Sequence, residues 1–332
     1  MPQKPLSPKQ LREALDAVST VGSVVGAAEL LGINRNTMQS RYNLAKEWAR
    51  KAEPEPAPEP IVLAPARRAK IRVQAGGESQ KTMRVLAIGD AHDSPGIDKK
   101  RFAWMGKHAS EFGADWVVSI GDWATLDSLN SHIGNETLGG RSKGPYAEDI
   151  ASLAESIGAF NSSLGSHRCN KHITLGNHER RAWTYEDMHP EMAGAVTGEI
   201  LKTFEDGGWG HTDYGEYFFL GGVGFIHAAI NRLNKTYGGK NAEVTIANDA
   251  TFDHVIGHSH VRREHRAPKL GPMKHVTILN LGCALPWGHV EEYMLKGSPT
   301  GWWWGAHELL ISGGQIVGTN AIPMTELERR YG

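Results

Sequence analysis

The chain has 332 residues, of which 40% are hydrophobic and 22% charged, a composition typical of a globular protein with two domains or one large one. No apolar run approaches the roughly 20 residues needed to cross a bilayer, which excludes a membrane span, and the start MPQKPLSPKQ lacks the apolar segment of a secretory signal. The only cysteines are Cys169 and Cys283, which excludes a disulfide framework, so we expect a cytoplasmic protein.

The net charge of −1 is unevenly distributed along the chain. Residues 1–82 hold 13 Lys and Arg against 8 Asp and Glu, a net charge of +5, which leaves −6 for residues 83–332. A basic N-terminal segment joined to an acidic remainder of the chain suggests two separate roles. The N-terminal segment is the better suited of the two to bind an anion such as nucleic acid.

Residues 1–50 have the pattern of three short helices. Ser7 and Pro8 are typical of a helix N-cap and first turn, Gly32 of a left-handed turn, and Asn34 of the cap of a third helix over about 35–48. In the segment AAELLGINRNTMQSRY, the small residue Ala28 lies four positions before the glycine turn. The segment resembles a helix-turn-helix of the Fis or homeodomain-like kind.

In that resemblance the third helix enters the major groove of DNA. The residues that would then contact bases or phosphates are Arg35, Asn36, Thr37, Gln39, Ser40 and Asn43. The alternative is a three-helix bundle used for oligomerisation or for docking another protein. DNA is favoured as the partner because the outward face of the third helix is polar and basic rather than acidic.

Residues 51–82 are predicted to form a linker. KAEPEPAPEP alternates proline with glutamate, which favours an extended polyproline-II spacer. The following ARRAKIR is either a solvated charge run or a contact to a nucleic-acid backbone. A second domain is predicted over 83–325, followed by a tail over 326–332.

Short apolar runs separated by glycine-rich turns predict the strands of this second domain. They fall at 84–88, 116–120, 172–175, 217–220, 223–226, 254–256, 276–281, 308–312 and 315–319, with helices at about 99–112, 146–163 and 192–204. The glycine pairs at 221–222 and 313–314 predict tight hairpins. Helices mixed with both isolated strands and hairpins indicate an α/β sandwich with two mixed sheets.

Metal-ligating residue types follow five of the predicted strands. The sequences are GDAH, GD, GNHE, a histidine within FIHAA, and GHSH, in that order. Because α/β sheets place their sites at the carboxyl ends of strands, we expect these side chains to converge. Asp, Asn and neutral His suit Mn, Fe or Zn ions, and one carboxylate can bridge two cations. The pattern therefore predicts a two-metal centre that clamps a phosphate group and activates water near neutral pH.

The five motifs resemble those of the calcineurin-like metallophosphoesterase superfamily, DxH, GD, GNH[DE], H and GHxH, over roughly residues 84–320. The resemblance implies a four-layer α/β/β/α sandwich with two divalent metal ions per chain, Mn being favoured over Fe, Zn or Ni. The implied ligands are Asp90, His92 and His260 for the first ion, Asp122 as the bridge, and Asn177, His227 and His258 for the second ion. His178 would protonate the leaving oxygen or stabilise the charged transition state, and Glu179 would orient His178.

The metal motifs do not distinguish phosphoprotein phosphatases, nucleotide phosphodiesterases and DNA exonucleases within the superfamily. The helix-turn-helix pattern favours DNA, because it would tether the catalytic domain to a duplex, and the combination resembles phosphoesterases encoded by phages and mobile elements. The acidic charge of residues 83–332 argues against DNA, since a processive nuclease usually has a basic channel.

The leading hypothesis is a metal-dependent phosphodiesterase or nuclease acting on DNA. One alternative is a phosphomonoesterase acting on nucleotides or phosphoproteins. Another is a DNA-binding regulatory or packaging protein whose phosphoesterase domain is a scaffold, although an intact His178 counts against it.

Two features near the motifs have structural interpretations. Asp93 is expected to cap a loop. The run Trp302, Trp303 and Trp304 is expected to pack on both faces of a strand or to line an oligomer interface, such as that of a homodimer, rather than to stack on the bases of a single strand.

Overall fold

A computed structural model of the protein describes residues 6–52, 81–131, 143–271, 274–290 and 301–332. Most of the predicted linker over 51–82 lies outside these residues. The chain divides into two units, Met1–Arg68 and Ala69–Gly332. Within the described ranges, no helix is both long enough and apolar enough to cross a membrane.

The first unit consists of three helices, α1 (Pro8–Val21), α2 (Val24–Leu30) and α3 (Arg35–Ala52). The Ser7 side chain accepts a hydrogen bond from the backbone N–H of Gln10 at 3.4 Å, and the Gln10 side chain accepts one from the N–H of Ser7 at 2.9 Å. This reciprocal pair satisfies two donors that the first turn would otherwise leave free. The turn after α2 contains Gly32 with φ 63°, and Asn34 caps α3 by accepting from the N–H of Asn36 at 2.8 Å. The helices pack through small buried side chains around Met38, namely Ala14, Ala17, Ala27, Ala28 and Ala45.

The second unit contains eleven described strands and six described helices. The strands are β1 (Met83–Ile88), β2 (Trp116–Ser119), β3 (Asn170–Thr174), β4 (Gly210–Thr212), β5 (Phe218–Leu220), β6 (Val223–Phe225), β7 (His254–Ile256), β8 (Arg262–Pro268), β9 (His275–Leu281), β10 (Gly305–Ser312) and β11 (Gln315–Pro323). The helices are α4 (Lys100–Phe112), α5 (Tyr146–Leu164), α6 (Arg181–Met188), α7 (Ala195–Asp206), α8 (Ala242–Asp249) and α9 (Met324–Tyr331).

The strands form two mixed sheets with the orders β11-β10-β1-β2-β3-β4 and β5-β6-β7-β9-β8. In the first sheet β1 to β4 are parallel, and in the second β6, β7 and β9 are parallel. One face of each sheet meets the other sheet in a shared core that includes Val85, Val118, Phe225 and Val255. The outer face of the first sheet packs on α4, α5, α7 and α9, and that of the second packs on α8. The predicted four-layer α/β/β/α sandwich is confirmed.

Both predicted hairpins are present because each connection is a pair of glycines with positive φ. The values are 56° and 89° for Gly221 and Gly222 between β5 and β6, and 59° and 82° for Gly313 and Gly314 between β10 and β11. Two central residues with positive φ give a turn whose twist matches that of the flanking strands.

The predicted elements omitted two strands, β4 and β8, and three helices, α6, α8 and α9. Strand β4 has only three residues, and β8 is an exposed edge strand of sequence RREHRAP without the alternation that marks a half-buried strand. Residues 326–332 are not a tail but lie largely in α9, because Met324 and Leu327 are buried in the core of the first sheet's outer layer.

Candidate metal centre

The seven predicted ligands meet at the carboxyl ends of five strands. Asp90 and His92 follow β1, Asp122 follows β2, Asn177 follows β3, His227 follows β6, and His258 and His260 follow β7. Strands β1, β2 and β3 are parallel neighbours in one sheet, and β6 and β7 are parallel neighbours in the other. Parallel strands end at the same edge, so packing the two sheets face to face brings both sets of loops together.

Asp90, His92 and His260 form the first group, with one potential ligand atom from each lying within 4.8 Å of the others. The Nε2 atoms of His92 and His260 are 2.9 Å apart, and Nε2 of His260 is 3.3 Å from Oδ2 of Asp90. All three residues are at most 1% exposed. This is the set predicted for the first metal ion.

The second group contains Asn177, His227 and His258. Oδ1 of Asn177 lies 2.9 Å from Nε2 of His227 and 2.8 Å from Nδ1 of His258. Oδ2 of Asp122 is 3.3 Å from Nε2 of His227 and 3.8 Å from Nε2 of His92. Asp122 therefore lies between the two groups, at the position predicted for a bridging carboxylate.

The donor atoms of both groups fit divalent cations. Within the part of the chain that the structure describes, neither buried oxygen of Asp90 accepts a hydrogen bond, although burying a polar group without such a partner is costly. Two imidazole nitrogens 2.9 Å apart, as in His92 and His260, repel one another unless a proton or a cation lies between their lone pairs. Carboxylate, amide and imidazole donors in this proportion suit Mn, Fe and Zn ions. The chain thus has an Asp/His cluster built for two metal ions.

The electrostatics of the cluster favour the binding-competent forms of His92, His258 and Asp122. They act in the opposite sense at His227, where burial lowers the pKa but the charges of Asp122 and Asp90 raise it by more, so that the net pKa lies above its usual value. Burial, followed by repulsion from neighbouring histidines, holds the pKa of His92 and of His258 below the usual value, so both rings are neutral near pH 7. Burial raises the pKa of Asp122. The nearby rings of His227, His178 and His92 lower it by a larger amount, so the net pKa lies below its usual value. Asp122 is therefore ionised, as a bridging ligand must be.

Four of the ligands have left-handed backbone conformations, which side chains other than glycine seldom adopt. The φ angles are 43° for His92, 46° for Asp122, 70° for His258 and 57° for His260. Hydrogen bonds between the loops hold these conformations in place. The N–H of His92 donates to the carbonyl of Asp122 at 2.8 Å, and the N–H of Trp303 donates to that of His260 at 3.0 Å. Backbone strain of this kind persists only where the surrounding structure enforces it.

Glycines next to the ligands are required because the backbone passes very close to the carboxylates. A Cβ atom added to Gly176 would lie 2.0 Å from Oδ1 of Asp122, and one added to Gly257 would lie 2.3 Å from Oδ1 of Asp90. Both distances are shorter than any van der Waals contact. The glycines of the GNHE and GHSH motifs therefore create the space that these two carboxylates occupy.

Replacing Gly257 with alanine is expected to displace Asp90 and to lower metal affinity by about 10-fold or more. Calorimetric titration with Mn²⁺ measures the change. Gly198→Ala is the matched control, because Gly198 lies inside α7 with no atom within 4 Å of an added Cβ, and it should leave affinity unchanged. Equal affinities for the two variants would contradict the close approach at Asp90.

Adding Mn²⁺ to metal-free protein is expected to raise its melting temperature by about 5–10 °C. A ligand at about 100 times its Kd stabilises the folded state by about 2.7 kcal/mol, and each kcal/mol shifts a domain of this size by about 2–4 °C. Differential scanning calorimetry checks the shift. Ca²⁺ should stabilise the protein less, because imidazole nitrogens are poor ligands for calcium. An equal shift with Ca²⁺ would point to a site other than this cluster.

His178 faces the cluster from the GNHE loop. Its Nδ1 lies 2.8 Å from the carbonyl oxygen of Thr125, so Nδ1 carries a hydrogen and donates it. Nε2 is then the free nitrogen, 4.0 Å from Oδ2 of Asp122. Burial holds the pKa of His178 below its usual value, opposed by the charge of Asp122. The side chain is placed beside the metal ligands with one nitrogen available for proton transfer.

The predicted role of Glu179, to orient His178, is wrong. Its carboxylate instead binds the backbone of a loop. It accepts hydrogen bonds from four backbone N–H groups, those of Gly176 at 2.8 Å, Asp122 at 2.9 Å, Trp123 at 2.8 Å and Ala124 at 3.2 Å. The orientation of His178 comes from Thr125 instead. Burial, with the neighbouring charge of Asp122, raises the pKa of Glu179 despite these hydrogen bonds. Glu179 thus fixes the strained segment that presents the bridging carboxylate.

Asp93 also differs from its predicted role as a loop cap. Its buried carboxylate accepts hydrogen bonds from Lys99 at 2.8 Å, Arg101 at 3.2 Å and Ser152 at 2.8 Å. Arg101 also donates to the carbonyl of Ala91, within the GDAH loop, at 3.2 Å. We call Asp93, Lys99, Arg101 and Ser152 the Asp93 network. It ties the loop of the first metal group to α4 and α5.

The tryptophans of the run 302–304 pack in alternating directions. The Trp302 ring contacts that of His260, with centroids 4.1 Å apart, and Trp304 contacts Trp287 at 5.2 Å. Trp303 instead contacts His307 at 4.8 Å. All three are half-buried, so packing on both sides of the chain, as predicted, accounts for them.

The predicted DNA contacts belong to the first unit. Arg35, Asn36, Thr37, Gln39, Ser40 and Asn43 are all exposed on α3. Met38 and Ala45 on the same helix are fully buried. One face of α3 therefore packs in the three-helix core while the other presents a polar and basic surface.

The comparison with family models agrees with this geometry. A family model described as calcineurin-like phosphoesterase matches residues 83–309, a range that contains all the candidate ligands. No protein with a curated description matches the sequence. Similar solved structures include zinc-complexed Vps29 from Entamoeba histolytica, with 12% identity over 73% of this chain and 99% of that one and a TM-score of 0.31. Another is the purple acid phosphatase PPD1 from yellow lupin, Lupinus luteus, with 11% identity over 74% of this chain and 54% of that one and a TM-score of 0.36.

Proposed function

The chain belongs to the calcineurin-like phosphoesterase family, and from that premise we propose that it is a two-metal phosphodiesterase or nuclease acting on DNA, with residues 1–50 tethering it to DNA. The observation that carries the choice of DNA is the exposed polar and basic face of α3. A helix that packs by one face and presents Arg, Asn, Gln and Ser on the other is suited to contact bases and phosphates in a major groove.

A second observation answers the objection from the net charge. Strand β8 leaves the GHSH loop and carries Arg262, Arg263 and Arg266, all exposed. Residues 83–332 are acidic on average, but β8 begins next to the metal ligands and carries three arginines against one acidic residue, Glu264. Such a strip is suited to follow a phosphate backbone away from the site.

The roles proposed for the ligands follow from their grouping. Asp90, His92 and His260 would hold one cation, Asn177, His227 and His258 the other, and Asp122 would bridge them. When bound, the two cations neutralise the charge of the phosphate and supply a nucleophile from water near neutral pH, and Mn²⁺ is the ion we favour.

Proton transfer is the contribution of His178. Because Nδ1 donates to the carbonyl of Thr125, the proton exchanged during catalysis is the one on Nε2, which faces Asp122. Protonated there, His178 would donate to the oxygen that leaves as the ester bond breaks. Arg181 donates to the same Thr125 carbonyl at 2.7 Å and keeps that acceptor in place.

The test is hydrolysis by the full-length protein with Mn²⁺, comparing end-labelled single- and double-stranded DNA with p-nitrophenyl phosphate. We expect DNA to be cleaved, with His178→Ala as the blank. Turnover of the monoester with DNA left intact would overturn the nuclease proposal in favour of a phosphatase.

The tether is tested by removing one positive charge from α3. Arg35→Ala is expected to weaken duplex binding by about 10-fold, the effect of losing about 1.4 kcal/mol of contact to a base or phosphate. Lys9→Ala is the matched control, because Lys9 is also exposed in the first unit but lies on α1. Fluorescence anisotropy with a labelled duplex measures both. Equal duplex affinities for the two variants would contradict DNA binding by α3.

A further inference from the structure

A pocket of about 410 Å³, with polar side chains set in a largely apolar lining, opens beside the second metal group. His258 and Ser259 of the GHSH loop form one wall, and Glu243 from the first turn of α8 and Asn280 from β9 form another. Arg263 of β8 completes the polar lining. Because His258 belongs to both the metal group and the pocket wall, a substrate whose phosphate lies at the metal ligands would extend directly into this pocket.

The polar side chains of the pocket are held in fixed positions. Nδ2 of Asn280 donates to Oε1 of Glu243 at 2.8 Å and to Oγ of Ser259 at 2.8 Å. Nη1 of Arg263 lies 3.5 Å from Oε2 of Glu243 and also donates to the carbonyl of Lys240. The buried Oδ1 of Asn280 has no hydrogen-bond partner among the described residues. The pocket therefore presents preorganised donors and acceptors.

The burial pattern of α8 indicates that these groups do more than hold the fold. Glu243 is only 5% exposed, whereas the adjacent Val244 is 39% exposed. A charged residue directed inward beside an apolar residue directed outward reverses the usual distribution on a helix. A buried charged group is uncommon and therefore indicates a specific role. The carboxylate of Glu243 could reach solvent at little cost, but it lies in the pocket wall.

The remaining lining defines the ligand. Tyr237 and Ile246 supply an aromatic and an aliphatic surface, and the hydroxyl of Tyr237 donates to Asp249 at 2.6 Å, which fixes the ring. A flat ring with hydrogen-bond donors and acceptors along one edge matches both the apolar surface and the polar wall, and the volume falls in the range of about 300–1,000 Å³ typical of small-ligand pockets.

We propose that this pocket binds the nucleoside attached to the scissile phosphate, with Glu243 and Arg263 contacting the hydrogen-bonding edge of its base. This inference rests on the proposed phosphodiesterase function and adds a site that selects nucleotide substrates over other phosphoesters.

The first experiment compares two substrates that share a leaving group. The p-nitrophenyl esters of the four deoxynucleoside 5′-monophosphates carry a nucleoside, and bis(p-nitrophenyl) phosphate carries none. Arg263→Ala and Glu243→Gln in the full-length Mn²⁺-loaded protein are expected to raise KM for the nucleoside esters about 10-fold, the equivalent of one lost polar contact, without changing kcat/KM for the other substrate. Lys202→Ala, at an exposed position of α7 outside the pocket lining, should change neither. Equal losses of kcat/KM on both substrates would show a structural role. No loss on either substrate would contradict nucleoside binding in this pocket.

The second experiment separates this inference from the proposed function. Equilibrium binding of the deoxynucleoside 5′-monophosphates is compared with that of inorganic phosphate, which needs no hydrolysis. We expect the nucleotides to bind at least 10-fold more tightly than phosphate to the parent protein, and only as tightly as phosphate to Arg263→Ala. Equal binding to the parent would overturn the pocket assignment. Tight nucleotide binding by a protein that hydrolyses no phosphodiester would instead overturn the proposed function and leave the pocket in place.

Discussion

Replacing His178 with alanine is expected to lower the turnover number for DNA by about 10²–10⁴-fold, the usual contribution of a positioned general acid. The ring lies beside Asp122 with Nδ1 bonded to the Thr125 carbonyl, so the variant removes the Nε2 atom that faces the cluster. Duplex binding should not change, because His178 does not lie on α3. Mn²⁺ affinity is measured alongside, because His178 also lies within ligand distance of His92 and Asp122. Single-turnover kinetics with labelled DNA measure the loss.

The leaving group distinguishes proton donation from a merely structural effect of this substitution. A p-nitrophenolate leaves without needing a proton, so His178→Ala should impair bis(p-nitrophenyl) phosphate hydrolysis much less than DNA hydrolysis. His189→Ala is the control, since the side chain of His189 is 44% exposed and lies outside the cluster. Equal losses on both substrates would mean that His178 positions the ligands or the phosphate and does not act as the acid.

The ligands could be predicted from the sequence because each lies directly after a buried apolar run. A strand such as 84–88 fixes where Asp90 must lie, since parallel strands end at a common edge and the loop between strand and ligand is short. The glycines next to the ligands were part of the same signal, because only glycine leaves room for the carboxylates of Asp90 and Asp122. Local pattern and tertiary position coincide at these points, so the sequence was sufficient.

The residues that support the ligands could not be predicted, because their partners depend on the three-dimensional path of the loops. Glu179 binds the segment around Asp122 only because that segment takes a left-handed turn, which its own sequence does not require. Ser152 meets Asp93 across 59 positions of sequence. Glu243 lies in a helix with little amphipathic pattern, so the sequence does not predict its burial. The burial follows from the packing of α8 on β9, where Glu243 accepts from Asn280. Side chains that act through contacts with residues far away in the sequence produce no periodic pattern from which they could be predicted.

Replacing Asp93 with alanine is expected to destabilise the second unit by about 3–5 kcal/mol, because removing one partner of a buried ion pair leaves the other charge uncompensated. The side chain of Asp93 is fully buried and that of Arg101 is 2% exposed. Burial lowers the pKa of Arg101 to about 10, so the guanidinium remains charged at neutral pH. At about 2–4 °C per kcal/mol, the melting temperature should fall by about 10 °C, as measured by calorimetry.

The same substitution should weaken Mn²⁺ binding, because the Asp93 side chain anchors on α4 and α5 a residue whose backbone joins two ligand loops. Its N–H donates to the carbonyl of Trp123 at 2.6 Å, and its carbonyl accepts from the N–H of Thr125 at 2.7 Å. Asp206→Ala, which removes a carboxylate that is 65% exposed at the end of α7, should change stability by less than about 0.5 kcal/mol.

Asp93→Ala leaves two cations without their carboxylate, Arg101 and the 10% exposed Lys99. Adding Arg101→Met removes the more deeply buried of the two and should recover part of the lost stability. Because Arg101→Met also removes the hydrogen bond to the Ala91 carbonyl, the single variant Arg101→Met is the reference for metal affinity. A double variant that regains stability but binds Mn²⁺ more weakly than Arg101→Met would assign loop positioning to the Asp93 carboxylate. Recovery of both properties would assign the whole effect to the unpaired guanidinium, and no recovery of stability would contradict that guanidinium as the cause.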